Sequence, residues 1–377
     1  MTPPLQLPPP AGARVDLLVV AGEHSGDEHG ARMVRELRAS QPGLVVAALG
    51  GPALAAAGAQ LLHDLTASSV VGLVEVLKSY TYFRALFHAL LRWIEAHRPR
   101  VVCLVDYPGF NLRLAAALRA RGLSVKGGGS LKVLYYISPQ IWAWKAQRRF
   151  TMARDLDALA VIFPFEVACY ADTPLPVEFV GHPFVGREYV PPVSFDPAGP
   201  VLLLPGSRQQ AVARIFPPLL AGFRAFGERS AVVLYPSEEI RAVLAAARPA
   251  ANVRLAPTGQ PVAVAAVLTS SGTMSMHCAL AGIPGAIAYR TTWLTYRLGR
   301  MLVQVEYLGI ANLLLREPMY PEYLQGAATP AALAAELRAS VSDPARRART
   351  AEQASRLRGL LSQPTGGTAA DWLARQL

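Results

Sequence analysis

Short apolar runs alternate with helical patterns along the first half of the chain. Val15 to Val20, Val45 to Leu49 and Val101 to Val105 hold at most one polar residue each, as strands covered on both faces do. They give way to Gly22, to Gly50-Gly51-Pro52 and to Asp106-Tyr107-Pro108, residues that stop a strand and turn the chain. A helical pattern follows the first run through Leu37. This rhythm predicts parallel strands joined by right-handed helical crossovers, an α/β fold. Val133 to Ile137 and Leu159 to Phe163 extend the set. Between them lie Trp142, Trp144 and a basic helix with Lys145, Arg148 and Arg149. Indoles and cations past the carboxyl end of a strand stand where an α/β sheet places a binding crevice. Core tryptophans and a solvated cationic helix face are the plainer reading of the same residues.

A second set of runs follows at Val201 to Leu204, Ala231 to Leu234, Val253 to Leu255 and Ile283 to Tyr289. The stretch Phe179 to Pro183 leads into Tyr189-Val190-Pro191-Pro192, which predicts a linker. The expected organisation is a disordered proline-rich lead-in at 1–13, domains at 14–190 and 191–345, and a helical, arginine-rich segment at 346–377. At 377 residues the chain fits two domains of ordinary size. No apolar run reaches the ~20 residues that span a bilayer, and the proline-rich start lacks the apolar core of a secretory signal. Cys103, Cys169 and Cys278 are scattered, which disfavours disulfide frameworks and zinc sites and suits a reducing compartment. The net charge of +11 fits an anionic substrate, an anionic membrane surface or nucleic acid.

The candidate chemistry gathers at strand ends. Asp106 ends an apolar run where a carboxylate can take a hydroxyl proton, although Asp before Tyr-Pro is also an ordinary turn residue. In AGEHSGD, Glu23 and Ser25 are expected to precede a helix and point into the site, while Asp27 is expected to cap that helix. Leu204-Pro205-Gly206-Ser207-Arg208 is either a polar turn or a phosphate loop, in which Ser207 and Arg208 donate to phosphate oxygens. Ser270, Ser271, Gly272 and Thr273 open a helical run, either as a plain cap or as an anion site at a helix N-terminus. His277 follows one turn later on the same face as Thr273. The stretch 70–93 interleaves Lys78, Arg84 and Arg92 with apolar and aromatic residues. Its spacing suits an amphipathic helix pair, packed as core or presented to a lipid interface. No cluster has metal-ligand spacing.

Taken in order, AGEHSGDEHGA, GGPALAAAG…SSVVGLVEVL, VDYPGFNLRLA, SPQIWAWKAQRRF…FPFEVACY, LPGSR, SSGTMSMHCALAGIP…YR, LGIANLLL and PEYLQ resemble the lipid-A-disaccharide synthase family from about Val15 to about Gln325. The resemblance implies two Rossmann-like domains facing across a cleft (GT-B type), with a C-terminal helix crossing back to the N-terminal domain. It implies an inverting, metal-independent hexosyltransferase without a cofactor. The reaction would join UDP-2,3-diacylglucosamine to 2,3-diacylglucosamine 1-phosphate and release UDP.

By the same resemblance Asp106, Glu23 and Ser25 are catalytic candidates. Ser207, Arg208, Ser271, Gly272, Thr273, His277, Asn312, Glu322 and Gln325 are substrate-binding candidates. The implied partners are a UDP-sugar donor, an acylated sugar phosphate acceptor and an anionic membrane surface, with no nucleic acid and with a homodimer left open. The implied location is the inner face of the cytoplasmic membrane, held peripherally from the cytoplasm. Departures are Gly109 for a second Asp, Ala211 for Glu, His277 for Glu, Gln304 for Lys and Ala311 for Pro. They leave open a related transferase with another donor or acceptor, or a non-catalytic nucleotide-sugar or lipid-binding protein.

Overall fold

The computed structural model describes residues 5–66, 73–186, 189–227, 229–293, 296 and 306–377, with only the backbone described for 73–80. Gln304 and the start of the 70–93 stretch lie outside the described residues. The chain divides into two units, one reaching Pro183 and taking back Gln363–Leu377, the other spanning Phe184–Ser362.

The first unit holds a seven-stranded sheet. Its strands are β1 (Leu17–Ala21), β2 (Val46–Gly50), β3 (Gln60–Asp64), β4 (Val101–Val105), β5 (Lys132–Tyr136), β6 (Ala158–Val161) and β7 (Val177–Phe179). Every pairing is parallel, in the order β3-β2-β1-β4-β5-β6-β7. All residues of β1, β2 and β4 are buried, which is why they read as unbroken apolar runs. Crossover helices are α1 (His24–Ser40), α2 (Pro52–Ala56), α3 (Leu73–His97), α4 (Pro108–Ala120) and α5 (Arg148–Asp155).

The second unit repeats the plan. Its strands are β8 (Val193–Phe195), β9 (Val201–Leu204), β10 (Ala231–Tyr235), β11 (Val253–Pro257), β12 (Val262–Val264), β13 (Ala266–Thr269), β14 (Gly285–Tyr289) and β15 (Glu322–Leu324). Its main sheet runs β11-β10-β9-β13-β14-β15, while β12 and β8 pair apart from it. Helices α6 (Gln209–Phe226), α7 (Glu238–Ala246) and α8 (Thr273–Leu280) follow strands of this unit. Both sheets therefore start at an inner strand, build outward to one side, then cross back to build the other side.

Three boundaries differ from the sequence expectation. The division falls at Pro183/Phe184 instead of 190/191, because Tyr189 turns its hydroxyl onto His277 of the second unit. The returning segment starts at Gln363 instead of 346. The helix Pro344–Leu361 stays with the second unit, where Arg356 pairs with Glu317 at 2.7 Å and Gln353 donates to the same carboxylate. The return itself is held by the buried Trp372 and Leu373, by Arg375 on Glu178 and by Lys132 on the Gln376 carbonyl.

The lead-in is the third correction. Residues 5–13 are docked rather than disordered. Leu5 and Leu7 pack on the first core, Trp93 donates to the Pro8 carbonyl at 2.8 Å and Gln60 donates to that of Pro9. Proline keeps its carbonyl as an acceptor and loses little conformational freedom on docking, so a proline-rich segment is an inexpensive strap.

Candidate functional site

In each sheet the strand order reverses between two neighbours, β1 and β4 in the first and β9 and β13 in the second. Ligands of open α/β sheets bind outside the carboxyl ends of such a pair. In the first unit Ala21 lies beside Val105, so the loops after β1 and β4 emerge side by side. One carries Glu23, the other Asp106.

The Asp106 corner is strained and clamped. Asp106 and Tyr107 both take left-handed backbone, at φ 46° and 50°, costing roughly 1–2 kcal/mol per residue. The Asp106 carbonyl accepts from Tyr135 Oη at 2.6 Å and from Asn111 Nδ2 at 2.8 Å. The buried Asn111 amide also reaches the carbonyls of Val20 and Val105, so one side chain ties together the ends of β1 and β4. Strain over-determined in this way is characteristic of working sites.

Gly22 closes the corner. A Cβ there would come within 2.1 Å of the Tyr107 ring, so only glycine lets the two loops approach. Gly22→Ala should force Tyr107 off its position and lower the melting free energy by about 1–3 kcal/mol, read by denaturant titration. A wild-type midpoint would show that the ring yields freely.

Glu23 is the exposed N-cap residue of α1. Ser25 is not ahead of the helix as expected, because α1 already begins at His24 and places Ser25 in its first turn. Asp27 does not cap its own helix either. It is buried and accepts from the backbone N–H groups of Gly51, Ala53 and Leu54 at 2.7, 2.9 and 3.2 Å. A carboxylate on the free N–H groups of α2 satisfies them and meets the positive end of that helix.

In the second unit Thr269 pairs with Leu204, and Ser270 N donates to the Leu204 carbonyl at 2.8 Å. The Ser207-Arg208 loop and the Ser270–Thr273 loop therefore lie together. Gly206 takes φ +112° with Ser270 Oγ at 3.4 Å from where its Cβ would be. Ser207, Arg208, Gly272 and Thr273 are exposed, Ser271 is half-buried, and Arg208 and Gly272 are the N-cap residues of α6 and α8. Two helix N-termini and a guanidinium at one sheet edge are the kind of donors from which anion sites are built.

His277 stands apart from that use. Its Nδ1 shares a hydrogen bond with the Tyr189 hydroxyl. Its ring stacks on Tyr189 at 5.6 Å and lies 3.9 Å from the Phe184 ring. Burial holds its pKa down at about 4, so the imidazole is neutral near pH 7. This aromatic cage lines a cavity of about 440 Å³ with Val193, Phe195 and Arg358.

Asn312, Glu322 and Gln325 hold structure. Asn312 is fully buried, gives its amide to the Tyr320 carbonyl and to Glu322, and accepts from Tyr320 N. Glu322 accepts from Leu308 N and Gly309 N, at the N-terminus of the helix Ile310–Leu315. Gln325 accepts from Thr291 N, and its carbonyl accepts from Arg290. The Asn312 amide is engaged inside the protein, where with Glu322 it sets the position of the loop at Leu308-Gly309.

The stretch after β5 forms a third surface at the first sheet's carboxyl edge. Trp142 meets Phe165 edge-on at 5.4 Å and donates its indole N–H to Glu166. Trp144 is 38% exposed, so it is not a core residue. Burial pushes the Glu166 carboxyl up to about 8, against hydrogen bonds from Trp142 and Phe163 N that favour its charge. The folded protein thus binds this proton more tightly than the unfolded chain. That stabilisation is full below about 4.5 and is lost as pH rises through about 8. Glu166→Gln should flatten this alkaline decline in melting temperature, and an unchanged decline would assign it to another group.

The α3 stretch is one helix, not a pair. Leu86, Leu90, Leu91, Trp93 and Ile94 are buried, Phe83 and Phe87 lean on the same core, and Phe87 meets Phe110 edge-on at 5.5 Å. Trp93 is therefore a core residue. Arg84, His88 and Arg92 occupy the exposed side at four-residue spacing.

No group of His, Cys, Asp or Glu able to hold a metal ion occurs among the described residues, and no described helix is long and apolar enough to cross a membrane.

The family model for lipid-A-disaccharide synthetase matches residues 17–374. Lipid-A-disaccharide synthase of Geobacter metallireducens is 36% identical over 365 residues, covering 91% of this chain and 92% of the relative. Lipid-A-disaccharide synthase 1 of Legionella pneumophila strain Paris is 35% identical over 343 residues, covering 84% and 85%. Among solved structures, UDP-GlcNAc 2-epimerase from Neisseria meningitidis bound to UDP-GlcNAc aligns with a TM-score of 0.61 at 11% identity, covering 96% of this chain and 99% of that one. The glycotransferase of kitacinnamycin aligns with a TM-score of 0.55 at 17% identity, covering 97% and 100%. These likenesses are of fold, two Rossmann-like sheets of the GT-B class.

Proposed function

We propose, from the premise that the chain belongs to the lipid-A-disaccharide synthase family, that Asp106 is the base of a hexosyl transfer and that the Arg208 and α8 loops hold the donor diphosphate. The reaction joins UDP-2,3-diacylglucosamine to 2,3-diacylglucosamine 1-phosphate. The acceptor 6-hydroxyl gives its proton to the Asp106 carboxylate as its oxygen bonds to the anomeric carbon. The bond from that carbon to the diphosphate breaks, and UDP leaves with the electron pair. Attack from the face opposite UDP inverts the anomeric configuration. The leaving charge falls on donors that are already in place, the Arg208 guanidinium and the N–H groups opening α8.

The observation that carries this reading is the clamped, left-handed Asp106 corner at the strand-order reversal beside Glu23. Incubating the purified protein with both acylated substrates should yield UDP and disaccharide 1-phosphate in equal amounts, measured by mass spectrometry. Release of UDP without disaccharide would overturn it.

Both substrates are amphiphiles, and the proposed workplace is the inner face of the cytoplasmic membrane. The cationic side of α3, with Arg84 and Arg92, favours an anionic bilayer at about 1 kcal/mol per basic residue near the surface. Sedimentation with anionic vesicles should fall as salt screens that attraction. Binding indifferent to salt would shift the contact to apolar residues.

A further inference from the structure

Lys145 and Arg148 form an electrostatic arrangement that the fold does not use. The Lys145 ammonium lies 4.4 Å and the Arg148 guanidinium carbon 4.9 Å from the centroid of the Trp144 ring. One indole thus gathers two cations. Neither makes an ion pair among the described residues, whereas the next residue, Arg149, is held bidentately by Asp172, with Nε and Nη2 each donating at 2.7 Å. Lys145 sits in left-handed backbone at φ 55°. Arg148 is the first residue of α5, whose first turn has no acidic residue, so its charge faces the positive end of a helix. Like charges brought together, on a strained residue and against a dipole, oppose folding. Such local conflict is expected where a ligand relieves it.

The cluster belongs to the same sheet edge as Asp106. Tyr135 ends its hydroxyl on the Asp106 carbonyl. Burial, then the Asp106 charge, raise the Tyr135 pKa, and Arg148 is the cation that acts against them. The strand before the Trp144 loop pairs with the strand before Asp106, and Asp106 N donates to the Tyr136 carbonyl at 2.9 Å, so the two loops leave neighbouring strands.

The geometry points to Lys145 and Arg148, aligned by Trp144, as the site for the phosphate monoester of a sugar phosphate acceptor. A dianionic phosphate between an ammonium and a guanidinium takes charge-assisted hydrogen bonds from both. It would fix the acceptor by its anionic end while another hydroxyl of the sugar meets Asp106. Trp144 is a positioning residue, since it touches the cations and not the phosphate. This inference rests on the acceptor reading of the first unit and adds the group that selects a phosphorylated sugar.

The test uses the full chain in neutral-detergent micelles, which removes the bilayer from the assay. Lys145→Gln with Arg148→Gln should raise the KM for 2,3-diacylglucosamine 1-phosphate by about tenfold or more, with the KM for UDP-2,3-diacylglucosamine unchanged. Transfer to unphosphorylated 2,3-diacylglucosamine should not fall further. The melting temperature should hold, because neither side chain carries an ion pair among the described residues of the fold. Trp144→Ala should raise the same KM less, by letting the cations separate.

An unchanged acceptor KM, or equal losses with both acceptors, would overturn the proposal. So would a loss of sedimentation with anionic vesicles at an unchanged KM in micelles, which would assign the cations to a lipid surface. If the wild-type chain fails to transfer at all, the reaction reading fails first. Titration with glucosamine 1-phosphate, followed by the Trp144 indole N–H resonance, still tests the site. A shift in the wild type that the double variant lacks supports it, and no shift overturns it.

Discussion

Asp106→Asn should lower turnover by a factor of about 10² or more while leaving UDP affinity unchanged. Asparagine is the informative replacement. It tolerates the left-handed backbone at φ 46° better than alanine, so the clamp from Asn111 and Tyr135 survives and only the proton acceptor is lost. The effect should fall on kcat, because a base acts on the acceptor proton in the chemical step and contributes nothing to donor binding. Steady-state kinetics with calorimetric UDP titration of the same variant separates the two. Near-normal turnover would remove Asp106 from the mechanism, and a melting temperature far below wild type would point to the corner instead of the carboxylate.

Arg208→Ala should weaken UDP binding by about tenfold to a hundredfold, the equivalent of one charge-assisted contact of ~1.5–3 kcal/mol. The residue is exposed at the N-terminus of α6, so truncation opens no cavity and stability should change little. Acceptor binding should be indifferent to the change. Calorimetry that finds the same UDP affinity in variant and wild type would count against the donor assignment of the loop. Loss of acceptor affinity alone would place the guanidinium on the other substrate.

Strands with both faces buried were legible as apolar runs. β1, β4, β9 and β10 fall where the runs do, to within two residues. The edge strands were not. β3 reads QLLHD with only its middle residue fully buried, and β7 and β15 have three residues each, too few for a pattern. β13 was hidden because no breaker separates it from β12 across Ala265.

The same division holds for the site. Strand ends marked Asp106 and Arg208 as candidates. What holds Asp106 in place did not show, because Gly22 and Tyr107 approach across 85 residues of sequence and nothing local to either marks the contact. Asn312 and Glu322 were legible as polar residues in a matching motif, but not as a buried bracket. A polar residue that binds a ligand and one that satisfies a helix end look alike until its neighbours are known. Asp27 shows the same ambiguity, since its partners lie on the next helix.

The division of the chain has a consequence for biosynthesis. The second unit is a continuous insertion, Phe184–Ser362, within a first unit that is completed only by Gln363–Leu377. A ribosome emits the whole second unit before it emits Trp372 and Leu373, which bury themselves on the first. Domains ordinarily fold in the order in which they are made. Here the unit that starts first cannot finish first, and the nascent first sheet waits with the docking place of its last helix uncovered. A chaperone acting on this protein would be needed there, at the amino-terminal half, late in translation.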